Sequence, residues 1–401
     1  MSGLVQKIKV LTGLEVLLSD KNTQNSIQGN IGYLCHAASV NSKYEHGIEG
    51  LKKCFGSRLK KLFSPQHGLY AEEQDNMLES DHFFHSFYQL PVYSLYSETR
   101  KPTDEMLEGL DCVLIDLQDV GTRIYTFIYT MCLMMQACGE KGIEVIILDR
   151  PNPINGKDME GNILDPNFRS FIGLYPMPMR HGLTIGEVAL MAHKFWKVDC
   201  RLRVINMKGW KRAMNFYDTG LPWVLPSPNL PTIAGTFVFP GSVLFEGTNL
   251  SEGRGTTRSL EIIGSPKLNS FSLLKDLNNS LKRVGLEGFV LRPLTFIPTF
   301  NKHEGKVCQG FQVHPTDLEK FQPWKVGQLL CQKLFHYMGE DFQWTPPPYE
   351  YEYKLMPIDI LNGTDKLRLW VEKNNSFDQM VEIEKEGWSN FTENRKEILA
   401  Y

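Results

Sequence analysis

The sequence lacks the features that mark membrane-spanning, secreted and nucleic-acid-binding proteins. No window reaches the roughly 18 uninterrupted apolar residues that a spanning helix needs, and the formal net charge is only −3, with no long basic run. A general nucleic-acid binder would need a basic face, so we predict no nucleic-acid partner. The first 20 residues show no clean apolar core followed by a small-residue cleavage site. The simplest predicted location is cytoplasmic, since export would require a leader that these residues do not show.

The motifs of common metal and nucleotide sites are also missing. None of the eight cysteines forms a CxxC pair, and neither HExxH nor a paired-histidine spacing occurs. The P-loop motif is absent, and no glycine-rich dinucleotide motif follows the first predicted strand. We therefore predict no metal site and no cofactor. A metal-dependent hydrolase that uses His67, His181 and aspartates is the weaker alternative.

Short apolar runs alternate with helical patterns through the first half of the chain. This alternation predicts an α/β fold with a doubly wound parallel sheet. The predicted strands are 29–37, 59–65, 91–96, 111–118, 143–149 and 200–207, and the predicted helices are 46–56, 103–110, 125–142, 184–197, 270–285 and 324–338. Thr184 and Glu187 have capping-box spacing at the start of one helix.

A chain of 401 residues exceeds the size at which one core usually keeps growing, so two domains are expected. Residues 221–242 are dense in proline and poor in helical pattern, which indicates a junction. We predict a first domain at 1–232 and a smaller α/β domain at 233–401. Residues 345–354, with three prolines in a row, are predicted to form a stiff, exposed connector.

Polar side chains follow three of the predicted strands. Ligands of parallel sheets lie beyond the carboxyl ends of the strands, so these loops are the first place to look for a site. The residues concerned are Gln66, His67, Glu72, Glu73, Asp119, Arg123, Tyr125, Asp149 and Arg150. Each also has a structural interpretation, such as a helix cap for Asp119 or an ion pair for Asp149. Their common position favours a polar pocket.

Two later segments add candidates. Residues 227–232, SPNLPT, place Asn229 between prolines that fix the backbone around its amide. Residues 246–257, EGTNLSEGRGTT, surround Glu252 and Arg254 with glycines, which allow the backbone to approach a ligand closely. An arginine can hold a carboxylate or phosphate through two hydrogen bonds.

The ordered motifs resemble those of the exo-β-N-acetylmuramidase family. FSPQHG, KPT, DLQDVGTRIYTF, LDRPNP, RHGLTIGE, WVLPSPNLPT and FEGTNLSEGRGTT follow one another between residues 63 and 257. The resemblance implies a Rossmann-like domain followed by a smaller α/β domain, with the site in the cleft between them. It implies hydrolysis of non-reducing terminal N-acetylmuramic acid from peptidoglycan fragments, which fits the recycling of imported wall material. It also implies a catalytic glutamate after His67 and Gly68, which falls on Glu72.

Glycoside cleavage needs a proton donor and usually a second carboxylate. We predict Glu72 as the general acid, with Glu73 as its local rival. For the second group Asp119 is favoured over Asp116, because it lies past the strand end. The substrate's acetamido group is an alternative internal nucleophile. His67 is predicted to orient the acid or the water.

The remaining candidates are assigned to substrate binding. Arg123 and Arg254 are candidates for the lactyl carboxylate of N-acetylmuramic acid, and Asn229 for its acetamido group or hydroxyls. Tyr125, Asp149 and Glu252 complete the predicted set. The chain departs from the family at Gln66, where a glutamate is usual, and at Tyr70 and Ala71, where Arg-Gly is common. These departures leave open another sugar, or a muropeptide-binding protein without turnover. The oligomeric state is left open.

Overall fold

The computed structural model describes residues 10–74 and 78–401, which form two β-sheets with helices packed around them. The larger sheet contains β1 (Ile31–Cys35), β2 (Leu59–Ser64), β3 (Phe83–His85), β4 (Leu90–Ser94), β5 (Cys112–Asp116), β6 (Glu144–Leu148) and β7 (Arg201–Ile205). The smaller sheet contains β8 (Ile262–Ser265), β9 (Phe289–Phe296) and β10 (Cys308–Pro315).

Helices precede, separate and follow these strands. They are α1 (Gly13–Ser19), α2 (Lys21–Asn25), α3 (Gly47–Phe55), α4 (Asp104–Leu107), α5 (Phe127–Glu140), α6 (Ile185–Phe195), α7 (Phe216–Thr219), α8 (Ile233–Ser242), α9 (Ser270–Arg283), α10 (Pro323–Met338), α11 (Pro357–Asn362), α12 (Lys366–Glu372), α13 (Phe377–Lys385) and α14 (Trp388–Lys396). None of the helices within the described residues is long and apolar enough to span a membrane.

The larger sheet is doubly wound. Its strand order is β3-β4-β2-β1-β5-β6-β7, and every neighbouring pair is parallel except β3 with β4. The chain adds β2 and β4 on one side of β1 and then returns to add β5, β6 and β7 on the other side. β1 and β5 are buried along their full length, as expected for central strands covered on both faces. This confirms the fold class predicted from the sequence.

The α6 helix shows how local sequence fixes an element beside the sheet. Thr184 caps the helix, accepting a hydrogen bond from the backbone N–H of Glu187, and the Glu187 carboxylate returns to the backbone N–H of Thr184. The Asp149 carboxylate, directly after β6, accepts from the Thr184 hydroxyl at 2.8 Å and from the Gly186 N–H at 2.7 Å. The predicted capping box is therefore confirmed, and it ties α6 to the end of β6.

Two segments adopt structures that their composition does not predict. Residues 233–242 form α8 although Pro240 lies inside it, because close packing outweighs the lost backbone hydrogen bond. A Cβ atom at Gly241 would lie 2.0 Å from the carbonyl oxygen of Pro323 at the start of α10, so the two helices are in direct backbone contact. Within 345–354, Tyr349 and Glu350 are buried, where an exposed connector was predicted. Strand β3 was not predicted.

Candidate active site

One pocket lies where loops at the carboxyl ends of the larger sheet's strands meet segments from the C-terminal half. It contains about 500 Å³ of empty space, counted to its open mouth. The side chains that line it are mostly buried and include both apolar and ionisable groups. They are Gln66, His67, Ile124, Tyr125, Thr126, Phe127, Ile172, Ser227, Asn229, Leu230, Phe239, Val243, Glu246, Arg254, Leu260, Tyr349 and Glu350.

His67 is held as a neutral imidazole on the pocket wall. Its Nδ1 lies 2.8 Å from the Glu73 carbonyl oxygen, and its Nε2 lies 3.2 Å from the Ser227 hydroxyl. Burial lowers the pKa of His67 to about 4. Because a carbonyl can only accept, Nδ1 carries the proton and Nε2 accepts from Ser227. His67 therefore fixes the loop at Glu73, and its geometry serves positioning more than proton transfer.

Glu72 lies on the same loop but outside the pocket lining. Its side chain is exposed, and its carboxylate accepts a hydrogen bond from the Tyr70 backbone N–H at 2.8 Å. Gly68 has φ +83°, and a Cβ atom there would lie 2.6 Å from the Glu72 carboxyl carbon. Asn229 donates from Nδ2 to the Gln74 carbonyl at 2.6 Å. The loop thus folds back on itself, and Asn229 helps to hold it.

Three buried polar atoms of pocket-wall side chains make no hydrogen bond among the described residues. They are the Tyr125 hydroxyl and Nη1 and Nε of Arg254, of which Nε is ion-paired with Glu252 at 3.1 Å. A buried polar group left unpaired costs on the order of 1–3 kcal/mol, so such groups usually mark the place of a ligand or water. Gln66, in contrast, accepts from the Thr126 hydroxyl at 2.8 Å, so this departure from the family pattern is built into the wall.

Arg254 organises a buried group of charges beside the pocket. Its Nη2 lies 2.5 Å from Glu246 Oε1, and its Nε lies 3.1 Å from Glu252 Oε1. The other oxygen of Glu246 accepts from the Tyr349 hydroxyl, and Lys302 lies 2.9 Å from Glu252. Glu246 and Arg254 face the pocket, whereas Glu252 stands behind Arg254 and holds it in place.

Glu350 is a buried carboxyl of a different kind. Burial and, to a smaller extent, the nearby Glu246 charge raise its pKa to about 7, against smaller lowering effects from the Tyr96 hydroxyl, Arg100 and Arg254. The Tyr96 hydroxyl donates to Glu350 Oε2 at 3.4 Å. Glu350 therefore retains its proton near neutral pH, which suits a group that donates hydrogen bonds or protons.

Three of the predicted site residues, Arg123, Asp119 and Asp149, lie outside the pocket lining and make structural contacts. The Arg123 guanidinium is buried and donates to four backbone carbonyls, so it has no route to the pocket. Asp119 accepts from the Gly121 N–H at 2.7 Å and lies 3.2 Å from Nε2 of His181. Asp149 caps α6, as described above. Polar groups of neighbouring segments satisfy Arg123 and Asp149 there, whereas Oδ1 of Asp119 has no hydrogen-bond partner among the described residues.

Of the residues predicted from the sequence, His67, Tyr125, Asn229 and Arg254 line the pocket. The residues that were not predicted include four that line it, Ser227, Glu246, Tyr349 and Glu350, and Tyr96, which lies outside the lining and contacts Glu350. The one available signal was the run YEYEY at 349–353, in which aromatic residues flank a carboxylate. His67 and His181 lie in separate hydrogen-bond networks, and across the described residues no group of three or more His, Cys, Asp or Glu side chains is arranged to hold a metal ion.

The raised pKa of Glu350 makes a prediction for stability. An unfolded glutamate titrates near 4.5, so between pH 4.5 and 7 the folded chain holds a proton that the unfolded chain has released. The free energy of unfolding must then fall as the pH rises from 4.5 to 7. The fall is about 1.4 kcal/mol per pH unit and about 3 kcal/mol in total. We expect Glu350→Gln to be more stable than the wild type at pH 8 by up to that amount and to match it at pH 4.5, measured by urea unfolding.

The exposed Glu340 provides the control, since Glu340→Gln should shift unfolding by less than about 0.5 kcal/mol at either pH. A Glu350→Gln difference that is the same at both pH values would show that Glu350 does not titrate in this range.

Family models match both halves of the chain. The model described as "Exo-beta-N-acetylmuramidase NamZ, N-terminal" matches residues 31–234, and the one described as "Exo-beta-N-acetylmuramidase NamZ, C-terminal" matches residues 237–401. The peptidoglycan beta-N-acetylmuramidase NamZ of Bacillus subtilis (strain 168) is 41% identical over 397 residues, which cover 99% of this chain and 92% of that protein.

Solved structures agree with these matches. Two crystal structures of DUF1343 family proteins from Bacteroides fragilis NCTC 9343 each align with 98% of this chain. The first has a TM-score of 0.85 at 29% identity and is covered completely, and the second has a TM-score of 0.72 at 26% identity and is covered to 99%. The chain therefore belongs to the exo-β-N-acetylmuramidase NamZ family and is a glycoside hydrolase.

Proposed function

We propose that this enzyme releases β-N-acetylmuramic acid from the non-reducing ends of peptidoglycan fragments. The observation that carries the proposal is that side chains with unpartnered polar atoms and carboxyl groups line one buried pocket. Arg254 Nη1 and the Tyr125 hydroxyl are unpartnered among the described residues, and Glu246 and Glu350 line the same walls. A pocket, unlike a groove that crosses the surface, suits the end of a saccharide chain. A cytoplasmic role in recycling wall fragments is part of the proposal.

The pocket offers a physical basis for sugar recognition. Arg254 remains our candidate for the lactyl carboxylate, because Nη1 is free to donate while Glu246 and Glu252 fix the rest of the guanidinium. Asn229 holds the loop at Gln74 through Nδ2, which leaves its amide oxygen as the atom for a substrate N–H or hydroxyl. The apolar wall at Ile124 and Phe127 suits the methyl and ring C–H groups of the sugar.

The direct test is product analysis on defined muropeptides. We expect free N-acetylmuramic acid to appear from substrates that carry it at the non-reducing end and from no substrate that ends in N-acetylglucosamine. Release of internal fragments would rule out exo-action. Binding by calorimetry without any product would instead identify a muropeptide-binding protein.

The general acid predicted from the sequence has its own test. If Glu72 donates the proton, Glu72→Gln must lower kcat/KM by roughly 10²-fold or more, which is the typical contribution of a general acid. Glu73→Gln is the matched control, since Glu73 meets His67 through its backbone and not through its carboxylate. A Glu72→Gln enzyme that keeps near-full kcat/KM would exclude Glu72 from this role.

A further inference from the structure

A second cavity lies between the middle of α5, the segment 169–176 and the end of α6. Its volume is about 610 Å³, which is in the usual range of a ligand site, and it shares no lining residue with the pocket described above. Its walls combine aromatic, polar and cationic side chains. They include Gln136, Arg169, Tyr175, Phe195, Trp196 and Lys197.

Tyr175 and Trp196 form a parallel aromatic stack in the wall of this cavity. Their ring centroids are 4.6 Å apart, and the ring planes are inclined by 5°. The Tyr175 hydroxyl accepts a hydrogen bond from Nε2 of Gln136 at 3.2 Å, which helps to fix the stack. Trp196 is half-buried, and its indole N–H donates to no other group among the described residues. An aromatic face with a free donor beside it suits a sugar, whose ring C–H groups pack on the aromatic face while its hydroxyls accept hydrogen bonds.

Arg169 and Lys197 make the cavity cationic. Both side chains are exposed, and neither forms an ion pair within the part of the chain that the structure describes. The described residues that line the cavity include no aspartate or glutamate. The charge of the cavity is therefore complementary to a ligand that carries carboxylates. Such a ligand would be held more strongly here than on an open surface, because the aromatic wall excludes water on one side.

Lys197 occupies a backbone position that favours glycine. It has a φ of +60° directly after α6, where the Val198 N–H returns to the Ala192 carbonyl at 3.1 Å. Glycine is the usual residue at a left-handed position after a helix, because a side chain there is strained. The lysine is retained at a cost to the backbone, which indicates that its ammonium group has a use. The cavity and the carbonyls at the end of α6 are the two places where a cation could act.

We propose that this cavity is a second saccharide site, which holds an N-acetylmuramic acid unit of a peptidoglycan fragment while the pocket takes a chain end. The proposal rests on the proposed function. The sugar ring would pack against Trp196, and its lactyl or peptide carboxylate would pair with Arg169 and Lys197. The segment 169–176 contributes Ile172 to the pocket and Tyr175 to the cavity, so one loop serves both sites. Holding a remote part of the fragment raises the effective concentration of the chain end at the pocket.

The test compares a long substrate with a short one. In Trp196→Ala, KM for a peptidoglycan fragment of several disaccharide units should rise by about fivefold or more, because the sugar loses its aromatic contact. The kcat/KM for a chromogenic β-N-acetylmuramide, which is too small to occupy both sites, should stay within about twofold of the wild type. Phe271→Ala, which removes an exposed ring from α9, is the matched control and should change neither value.

Lys197→Gly separates a ligand role of the ammonium group from a structural one. Glycine fits this backbone, so the midpoint of thermal unfolding should be unchanged or higher. The KM for the long fragment should rise by about threefold or more, and salt should reduce the difference from the wild type. If the lysine acts only on the end of α6, the midpoint will fall and KM will stay the same.

An unchanged KM for the long fragment in both Trp196→Ala and Lys197→Gly would overturn the inference. A wild-type enzyme that releases N-acetylmuramic acid from neither substrate would instead overturn the proposed function. Calorimetry with the same fragment would then still test the cavity, since the wild type must bind the fragment more tightly than Trp196→Ala does. Equal affinities in that measurement would overturn the second site as well.

Discussion

Arg254→Met is expected to lower the free energy of unfolding by about 3–5 kcal/mol, the usual result of removing one partner from a buried ion pair. Arg254 is 5% exposed, and it lies between two carboxylates that are themselves buried. Lys302 still compensates Glu252 after the change, but the Glu246 oxygen at 2.5 Å loses its cation. Methionine fills similar volume, so the loss reports charge and hydrogen bonding more than packing. Muramidase activity should disappear as well. Among the residues that the structure describes, Arg254 is the only pocket-wall side chain with an unpartnered guanidinium nitrogen, and the substitution removes it.

Arg258→Met is the matched control for this prediction. Arg258 is four residues further along the chain, half exposed, and its ion pair with Glu261 is 3.6 Å long. Glu261 is buried but keeps its hydrogen bonds from the Thr232 hydroxyl and the Gln312 amide, and a half-exposed cation at 3.6 Å adds about 0–1 kcal/mol, so urea unfolding of Arg258→Met should stay within about 1 kcal/mol of the wild type. Equal losses in the two variants would mean that Arg254 is no more than an ordinary surface cation. Combining Arg254→Met with Glu246→Gln should recover part of the stability, because the carboxylate that paired with Arg254 is replaced by a neutral amide.

The fold was predictable because each element of the larger sheet carries its own local signal. β5 and β6 are short apolar runs of the kind found in strands covered on both faces, and α6 begins with a capping box that the sequence shows directly. Where tertiary contacts outweigh local preference, prediction failed. Helix α8 contains a proline and persists because its glycine meets the backbone of α10, a contact that no local pattern reveals.

The site was predictable only where residues follow a strand. His67 and Tyr125 came from the rule that ligands bind beyond the carboxyl ends of parallel strands, and both lie on the pocket wall. Glu350 was not predicted as a site residue, because its burial depends on contacts with distant segments, including Tyr96, which is 254 positions away. The proline run before it is typical of an exposed connector, and nothing local shows that the chain turns inward after the prolines. The same limitation applies to Arg123, whose partners in the structure are backbone carbonyls that have no sequence signature.

Arg123→Met is expected to lower the free energy of unfolding by about 3–5 kcal/mol, because buried carbonyls lose a charged donor. Nη1 of Arg123 donates to the carbonyls of Asn162 and Met177, and Nη2 to those of Leu361 and Asn362 at 3.0 and 2.8 Å. One side chain thus connects the segment after β6 to the end of α11. Arg123→Lys should recover little, since a single ammonium group cannot reproduce the planar fork that reaches four oxygens.

Kinetics separate this structural role from the substrate contact that the sequence predicted. At a temperature where Arg123→Met remains folded, its KM for a chromogenic β-N-acetylmuramide should stay within about threefold of the wild type. A side chain that does not contact the substrate in the ground state or the transition state should change neither KM nor kcat. Arg201, which is exposed on β7, is the control, and Arg201→Met should change stability by less than about 0.5 kcal/mol. A stable Arg123→Met enzyme with a tenfold higher KM would return Arg123 to the substrate site. The four carbonyl contacts argue for the opposite result, since backbone oxygens already use all four N–H groups of the two terminal guanidinium nitrogens, which would form the fork for a sugar carboxylate.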